Sequence, residues 1–307
     1  MARMHINKSI EINAPAATIF EKLNDFHTWR AWSPWLIMDP DASVDVEPDG
    51  KAYTWTGDLT GEGAMKILGE EPNKAIDYDL FFIKPWKSNP KVRFELEEQG
   101  DKTKVSWLMD SPWPFFLFWM KKTMTALIGK DYERGLSMLK EYIEDGEVHS
   151  TLGFEGATNY PGCTFVGLKT SCTMEGVGPA MEADFTALWN LLKDDESNMA
   201  GAPFSIYHKF DMVKEQVVYT AGIPVNQVPD NLPSNFLVSS IPATKVQIMK
   251  HTGPYHHLGN AWTTLYSMHR NKKFKMNKSV DPFEVYVNDP GNTDPKDLIT
   301  EVHFAMK

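Results

Sequence analysis

Apolar and polar residues alternate with several different periods along this 307-residue chain, and each period predicts an element. "KVRFELEE" sets Val92, Phe94 and Leu96 on one side and Arg93, Glu95 and Glu97 on the other, the signature of a strand with one wet and one covered face. "IDYDLFF" groups Ile76, Tyr78, Leu80 and Phe82, and "TKVSWLM" groups Val105, Trp107 and Met109. Residues 5 to 12 read as a further strand, followed by a helix in "NAPAATIFEKLND", where Ile19, Phe20 and Leu23 fall at helical spacing. "KDYERGLSMLKEYIEDG" then places Tyr132, Leu136, Leu139 and Ile143 at intervals of three and four before a glycine, predicting a closing helix laid on the sheet. Residues 145 to 162 are polar, contain glycine and show no period, so the domain boundary is placed there.

Beyond that boundary the order strand, helix, strand, strand occurs twice. "TFVGLKTSC" at 164 corresponds to "TKVQIMKHT" at 244, "FTALWNLL" at 185 to "WTTLYSMH" at 262, "PFSIY" at 203 to "PFEVY" at 282, and "VVYTAGIPV" at 217 to "LITEVHFAM" at 298. Self-similarity on this scale argues for an internal duplication. Met181, Phe185, Leu188, Trp189 and Leu192 form one helix stripe, and Leu258, Ala261, Trp262 and Leu265 the other, with both tryptophans read as core. In "PFEVYVN", Phe283, Val285 and Val287 are the apolar set expected to meet the helices, while Glu284, Tyr286 and Asn288 share the opposite face. Ser205 and Tyr207 hold the equivalent places in the first copy. A pseudo-twofold axis then brings two tyrosines to a single carboxylate.

Length fits two domains, and 42% hydrophobic with 23% charged residues is ordinary globular composition. The net charge of −10 is shared by both halves, with 18 basic against 25 acidic residues up to position 150 and 13 against 16 afterwards. No direct contact with nucleic acid is expected from such a balance. Cys163 and Cys172 have no metal-ligand spacing and read as reduced thiols of a cytoplasmic protein. The run "PWPFFLFWM" at 112 to 120 is too short to span a bilayer and reads as buried or pocket-lining, with an interfacial membrane contact as the alternative. Glu70, Glu71, Asp77 and Asp79 read as solvated. "DPDASVDVEPDG" fails as a calcium loop because Val44 stands at its sixth position and Gly50 at its twelfth. His251, His256 and His257 lack the spacing of a helical metal pair and suit turn chemistry instead. Neither metal nor cofactor is expected.

"INAPAATIFEKLNDFHTWRAWSPW", "YTWTGDLTGEGAMKI", "GDKTKVSW" and "YERGLSMLKEYIE" give residues 1–147 a resemblance to the SRPBCC superfamily, the START-like or polyketide-cyclase-like helix-grip proteins. The resemblance implies an antiparallel sheet wrapped around a long last helix, with an apolar cavity between them. Trp55, Tyr78, Phe82, Phe94 and Trp107 are its expected lining. Eight of the ten tryptophans lie in this half, which fits such a cavity and fits a fully packed aromatic core equally well.

The doubled unit, "HTGPYHHLGNAW" and "PFEVYVNDPGNTDPKDLITEVHFAM" make residues 160–307 resemble GyrI-like proteins, which share their fold with the effector-binding domains of AraC-type and MerR-type regulators. In that family a carboxylate of the penultimate strand contacts cationic or polar ligands in an aromatic groove, and Glu284 is the matching position. Tyr286, Tyr207, Tyr255 and Ser205 are the further expected ligand contacts. No helix-turn-helix pattern precedes this domain. The expectation is an α+β protein of two domains that binds a hydrophobic or cationic small molecule, as a sensor or sequestering factor. A protein partner or homo-oligomer stays open. The alternative is an enzyme, either a hydrolase using Glu284 as general base or a cyclase-like first domain.

Overall fold

The period-two segments of the first half pair into one antiparallel sheet, and the helical segment closes over it. The computed structural model describes residues 3–84 and 87–307. The chain divides into two units, one ending at His149 and the other beginning at Ser150.

In the first unit, β1 (Arg3–Ile12) leads into α1 (Ala16–Leu23) and α2 (Pro34–Met38). A meander follows through β2 (Ser43–Val46), β3 (Ala52–Gly57), β4 (Gly61–Glu71), β5 (Ala75–Lys84), β6 (Lys91–Gln99) and β7 (Lys102–Pro112), before α3 (Lys121–Glu144). The sheet order is β1-β7-β6-β5-β4-β3-β2, so the first strand pairs with the last and α3 lies against them. Tyr132, Leu136 and Leu139 are buried on the sheet side of α3, and Ile143 packs at the margin of the same core. Gly135 makes the approach possible, because a Cβ there would stand 2.7 Å from the Trp107 ring.

Trp107 is held between Phe94 at 4.8 Å and Tyr132 at 4.1 Å, both stacked on it. Tyr78 meets Phe94 at 5.9 Å, and Trp55 meets Phe82 at 5.7 Å. The five positions expected to line a cavity thus meet as members of one aromatic cluster. On the wet face, Arg93 pairs with Glu71, Asp77 and Glu95 and Lys91 takes Asp79, while Glu70, opposite Ile76 at the end of the other face, pairs with Lys51. Solvated pairing is what the alternation predicts for these acids. Asp39, from the calcium-like stretch, instead caps a turn by accepting from the backbone N–H groups of Leu59 and Thr60 at 2.8 and 3.0 Å.

One expectation for this unit fails. The run at 112 to 120 is not buried: Phe115, Phe116, Phe118 and Trp119 face solvent from a 3-10 segment between β7 and α3. The segment leaves the end of the sheet after Pro112 and runs directly into α3.

In the second unit, β8 (Thr151–Tyr160) and β9 (Cys163–Thr173) precede α4 (Val177–Leu192), β10 (Phe204–Asp211) and β11 (Gln216–Pro224). Then β12 (Leu237–Ile241) and β13 (Thr244–Thr252) precede α5 (Gly259–Arg270), β14 (Phe283–Tyr286) and β15 (Ile299–Ala305). The sheet order β12-β9-β11-β10-β14-β15-β13-β8 reads as a pseudo-twofold about the β10/β14 pair. Each half contains five elements, one more than the sequence pattern reveals. The leading strands are exchanged, with β8 beside β13 and β12 beside β9. β8 occupies most of the stretch that shows no period, because it is an edge strand broken by a bulge opposite Ile248 and Lys250 and has little to bury.

Leu188 and Leu192 of α4 pack with Val217, Tyr219 and Ala221, whereas Ala261 and Leu265 of α5 pack with Met249, Val302 and Phe304. The strand alternation is as predicted, but the assignment of faces is reversed. Phe283 packs with Phe165, Phe204, Ile206, Val246 and Ile248 on the side away from the helices. Glu284 lies opposite Val302, which packs against α5, so the acid and not the apolar set shares the helical side. Both faces of this sheet are covered, and apolar content alone does not tell which one the helices take. Trp189 is also misassigned as core: it is 49% exposed, at the edge of the α4 stripe.

Candidate ligand-binding site

β10 and β14 are the central strands, with Ser205 directly opposite Glu284 in their register. Pleating sends Ser205, Tyr207, Glu284 and Tyr286 to one face, the one flanked by α4 and α5. Glu284 is only 3% exposed there. Its carboxylate is met by three side-chain donors. The Tyr207 and Tyr286 hydroxyls both donate to Oε2 at 2.9 Å, and the Trp262 indole N–H donates to Oε1 at 2.5 Å.

The surrounding rings form a cage. Tyr207 lies edge-on to Trp262 at 5.0 Å, Phe185 of α4 is edge-on to Tyr286 at 5.5 Å, and Tyr255 meets Tyr286 at 5.8 Å. The Tyr286 hydroxyl also lies 3.7 Å from the thioether of Met181. Tyr255, 39% exposed, forms the outer rim. It begins the 3-10 turn Tyr255–His257 that leads into α5, so two of the three clustered histidines sit in turn structure. A further acid, Asp184 of α4, accepts from Tyr219 and Thr170, each at 2.7 Å, on the first-copy side.

Burial raises the proton affinity of Glu284 above its ordinary 4.5, and the three donors pull it back in part. Burial, followed by the charge of Glu284, drives the Tyr207 and Tyr286 phenols far above their normal range, while Tyr255 is pushed up to about 12. All three stay neutral donors near pH 7. The Ser205 hydroxyl is fully buried and has no hydrogen-bond partner among the described residues. The expected quartet Ser205, Tyr207, Glu284 and Tyr286 is therefore one cluster, with Tyr255 at its edge.

Sequence reasoning missed Trp262, Phe185 and Met181 as members. Their helical spacing marks the side facing the sheet, and that side serves core packing and cage alike. The available signal was the polar strand face, whose acid requires donors once it is buried.

Residues 3–144 match the family described as polyketide cyclase/dehydrase and lipid transport, and residues 159–307 match the GyrI-like small molecule binding domain. The chain joins a domain of each family. Among solved structures, the EcmrR–DNA complex is 16% identical, the match covering 61% of this chain and 68% of that chain at a TM-score of 0.44. The EcmrR C-terminal domain is 18% identical over 52% of this chain and 98% of its own, at a TM-score of 0.40. The Aha1 dimer from Colwellia psychrerythraea is 21% identical over 47% and 98%, at 0.36. No curated protein matches the chain.

Proposed function

We propose that the GyrI-like unit binds an organic cation with an apolar body, and that the protein acts as a sensor or sequestering factor for such compounds. The observation that carries this reading is the buried carboxylate of Glu284 inside a ring of Tyr207, Trp262 and Tyr286. A desolvated carboxylate attracts a cation strongly, and each aromatic face adds about 0.5–2 kcal/mol of cation–π attraction. The phenol and indole donors hold the acid in place before a ligand arrives, which lowers the ordering cost of binding. Entry lies past Tyr255, the outermost ring of the cage. Because Glu284 is only 3% exposed, a cation reaches van der Waals contact with its carboxylate only when a ring at the rim of the cage moves aside.

A second reading is supported by the raised proton affinity of the same acid. A carboxyl poised above its ordinary range can take a proton from water attacking a bound electrophile, so Glu284 would serve as a general base in hydrolysis. One comparison separates the two. Wild type and Glu284→Gln are titrated with benzyltrimethylammonium and, separately, incubated with an activated aryl ester. Loss of ammonium binding in the variant with no ester turnover in either protein supports the binder. Turnover by wild type that the variant lacks supports the enzyme.

A further inference from the structure

Phe115, Phe116, Phe118 and Trp119 are 64 to 82% exposed, a concentration of large aromatic side chains that folded proteins seldom leave in water without use. Their segment is not a frayed end. The Trp113 indole donates to the Leu117 carbonyl at 2.8 Å, and Phe115 and Phe116 stand edge to face at 5.7 Å. Two more apolar side chains, Phe81 and Ile83, are exposed near the end of β5. They lie at the same end of the sheet. Lys91, the first residue of β6, opposes Asp79 on one side and Asp110 on the other, and beyond that row β5 continues to Lys84 and β7 to Pro112.

Lysines stand beside the aromatic run. The protein carries a net charge of −10, yet residues 80 to 92 and 112 to 122 hold five lysines and no acid, two of the five, Lys84 and Lys91, being paired with Glu62 and Asp79. The two acids of the adjoining row are already neutralised, Asp79 by Lys91 and Asp110 by Arg3. Lys121 and Lys122 follow the aromatic run directly and make no ion pair among the described residues. Aromatic side chains beside lysines suit the boundary between lipid headgroups and acyl chains, where rings enter and ammonium groups stay at the phosphates. A second copy docking patch to patch would set lysines against lysines, so charge complementarity selects an anionic surface.

We propose that this end of the first unit docks on an anionic lipid bilayer, with Phe115, Phe116, Phe118 and Trp119 entering the headgroup region and Lys121 and Lys122 contacting lipid phosphates. The contact is peripheral. No helix among the described residues is long and apolar enough to cross a membrane.

The test is co-sedimentation of the full chain with phosphatidylcholine vesicles, with and without about one-third phosphatidylglycerol, at low and high salt. Binding is expected only to the anionic vesicles and falls with salt. Lys121→Ala/Lys122→Ala lowers the partition coefficient about 25-fold, each lysine near an anionic surface being worth about fivefold. Phe118→Ser/Trp119→Ser removes two inserting rings and loses binding by a larger factor, while circular dichroism and a cooperative thermal unfolding of the first unit report whether the variants stay folded. Equal sedimentation of wild type and folded variants overturns the proposal, as does sedimentation indifferent to lipid charge. A concentration-dependent dimer that the aromatic variant abolishes, without vesicle binding by wild type, assigns the patch to a second copy and overturns it too.

Discussion

Tyr207 and Tyr286, 79 positions apart in sequence, donate to the same oxygen of Glu284, each at 2.9 Å. The two phenols come from corresponding strands of the duplicated unit, but only the second copy supplies an acid. Ser205, its counterpart, lies across the strand pair from it. Symmetry of the fold thus provides two matching donors, and one departure from it provides the charge.

Cation affinity should depend on pH through Glu284. Burial raises the pKa of this carboxyl above 4.5, and only its ionised form attracts a cation. Affinity is therefore full above the raised pKa and falls by up to about tenfold per pH unit below it. Isothermal titration from neutral pH downward should show the decline beginning above pH 4.5, whereas Glu284→Gln should give a flat profile. A wild-type profile equally flat down to pH 4.5 would mean the acid takes no part.

Trp262→Phe should cost about 1–3 kcal/mol at pH 7, because it strips one donor from a buried carboxylate and supplies none in return. The penalty should shrink as the pH falls and Glu284 takes up a proton. Urea midpoints at both ends of that range measure it. A loss unchanged by pH would point to ring packing as the cause.

In the first unit, Gly135→Ala sets two effects against each other. Alanine favours the helix by about 1 kcal/mol. Its Cβ, however, would approach the Trp107 ring to 2.7 Å, and overpacking of a filled core costs about 1–3 kcal/mol. We expect net destabilisation, larger for Gly135→Val, read from thermal unfolding. Stabilisation by alanine would mean that α3 shifts without strain.

His251 should make the second unit sensitive to acid. Burial, with the His257 and His256 imidazoles adding to it, pushes its pKa from 6.5 down to about 4. Between those values the unfolded chain binds a proton that the folded chain refuses, so stability is lost as the pH falls through this window. The loss approaches about 3 kcal/mol. His251→Asn should reduce the slope of unfolding free energy against pH across the window; an unchanged slope would exclude this residue as its source.

Much of the architecture is legible from periodicity. Val92, Phe94 and Leu96 alternate because one face of their sheet meets a helix and the other meets water. The repeated Pro-Phe-x-x-Tyr phrase marks the central strand pair. Edge strands β8 and β12 are not legible, since little of either is buried and neither is required to alternate. The clustering of Ser205, Tyr207, Glu284 and Tyr286 follows from pleating and duplication. Which side the helices cover does not follow, because the opposite face is apolar as well. Trp262 illustrates the limit: a helix stripe identifies a side chain that turns inward without telling whether it meets leucine or a carboxylate.

The central claim is that Glu284 is a cation-binding acid, and calorimetric titration with benzyltrimethylammonium at pH 7.5 tests it most directly. The account predicts saturable binding by wild type and a loss of about 30-fold or more in Glu284→Gln, the effect of removing one partner from a buried charge pair. Equal affinity in the two proteins, with both folded, would contradict it.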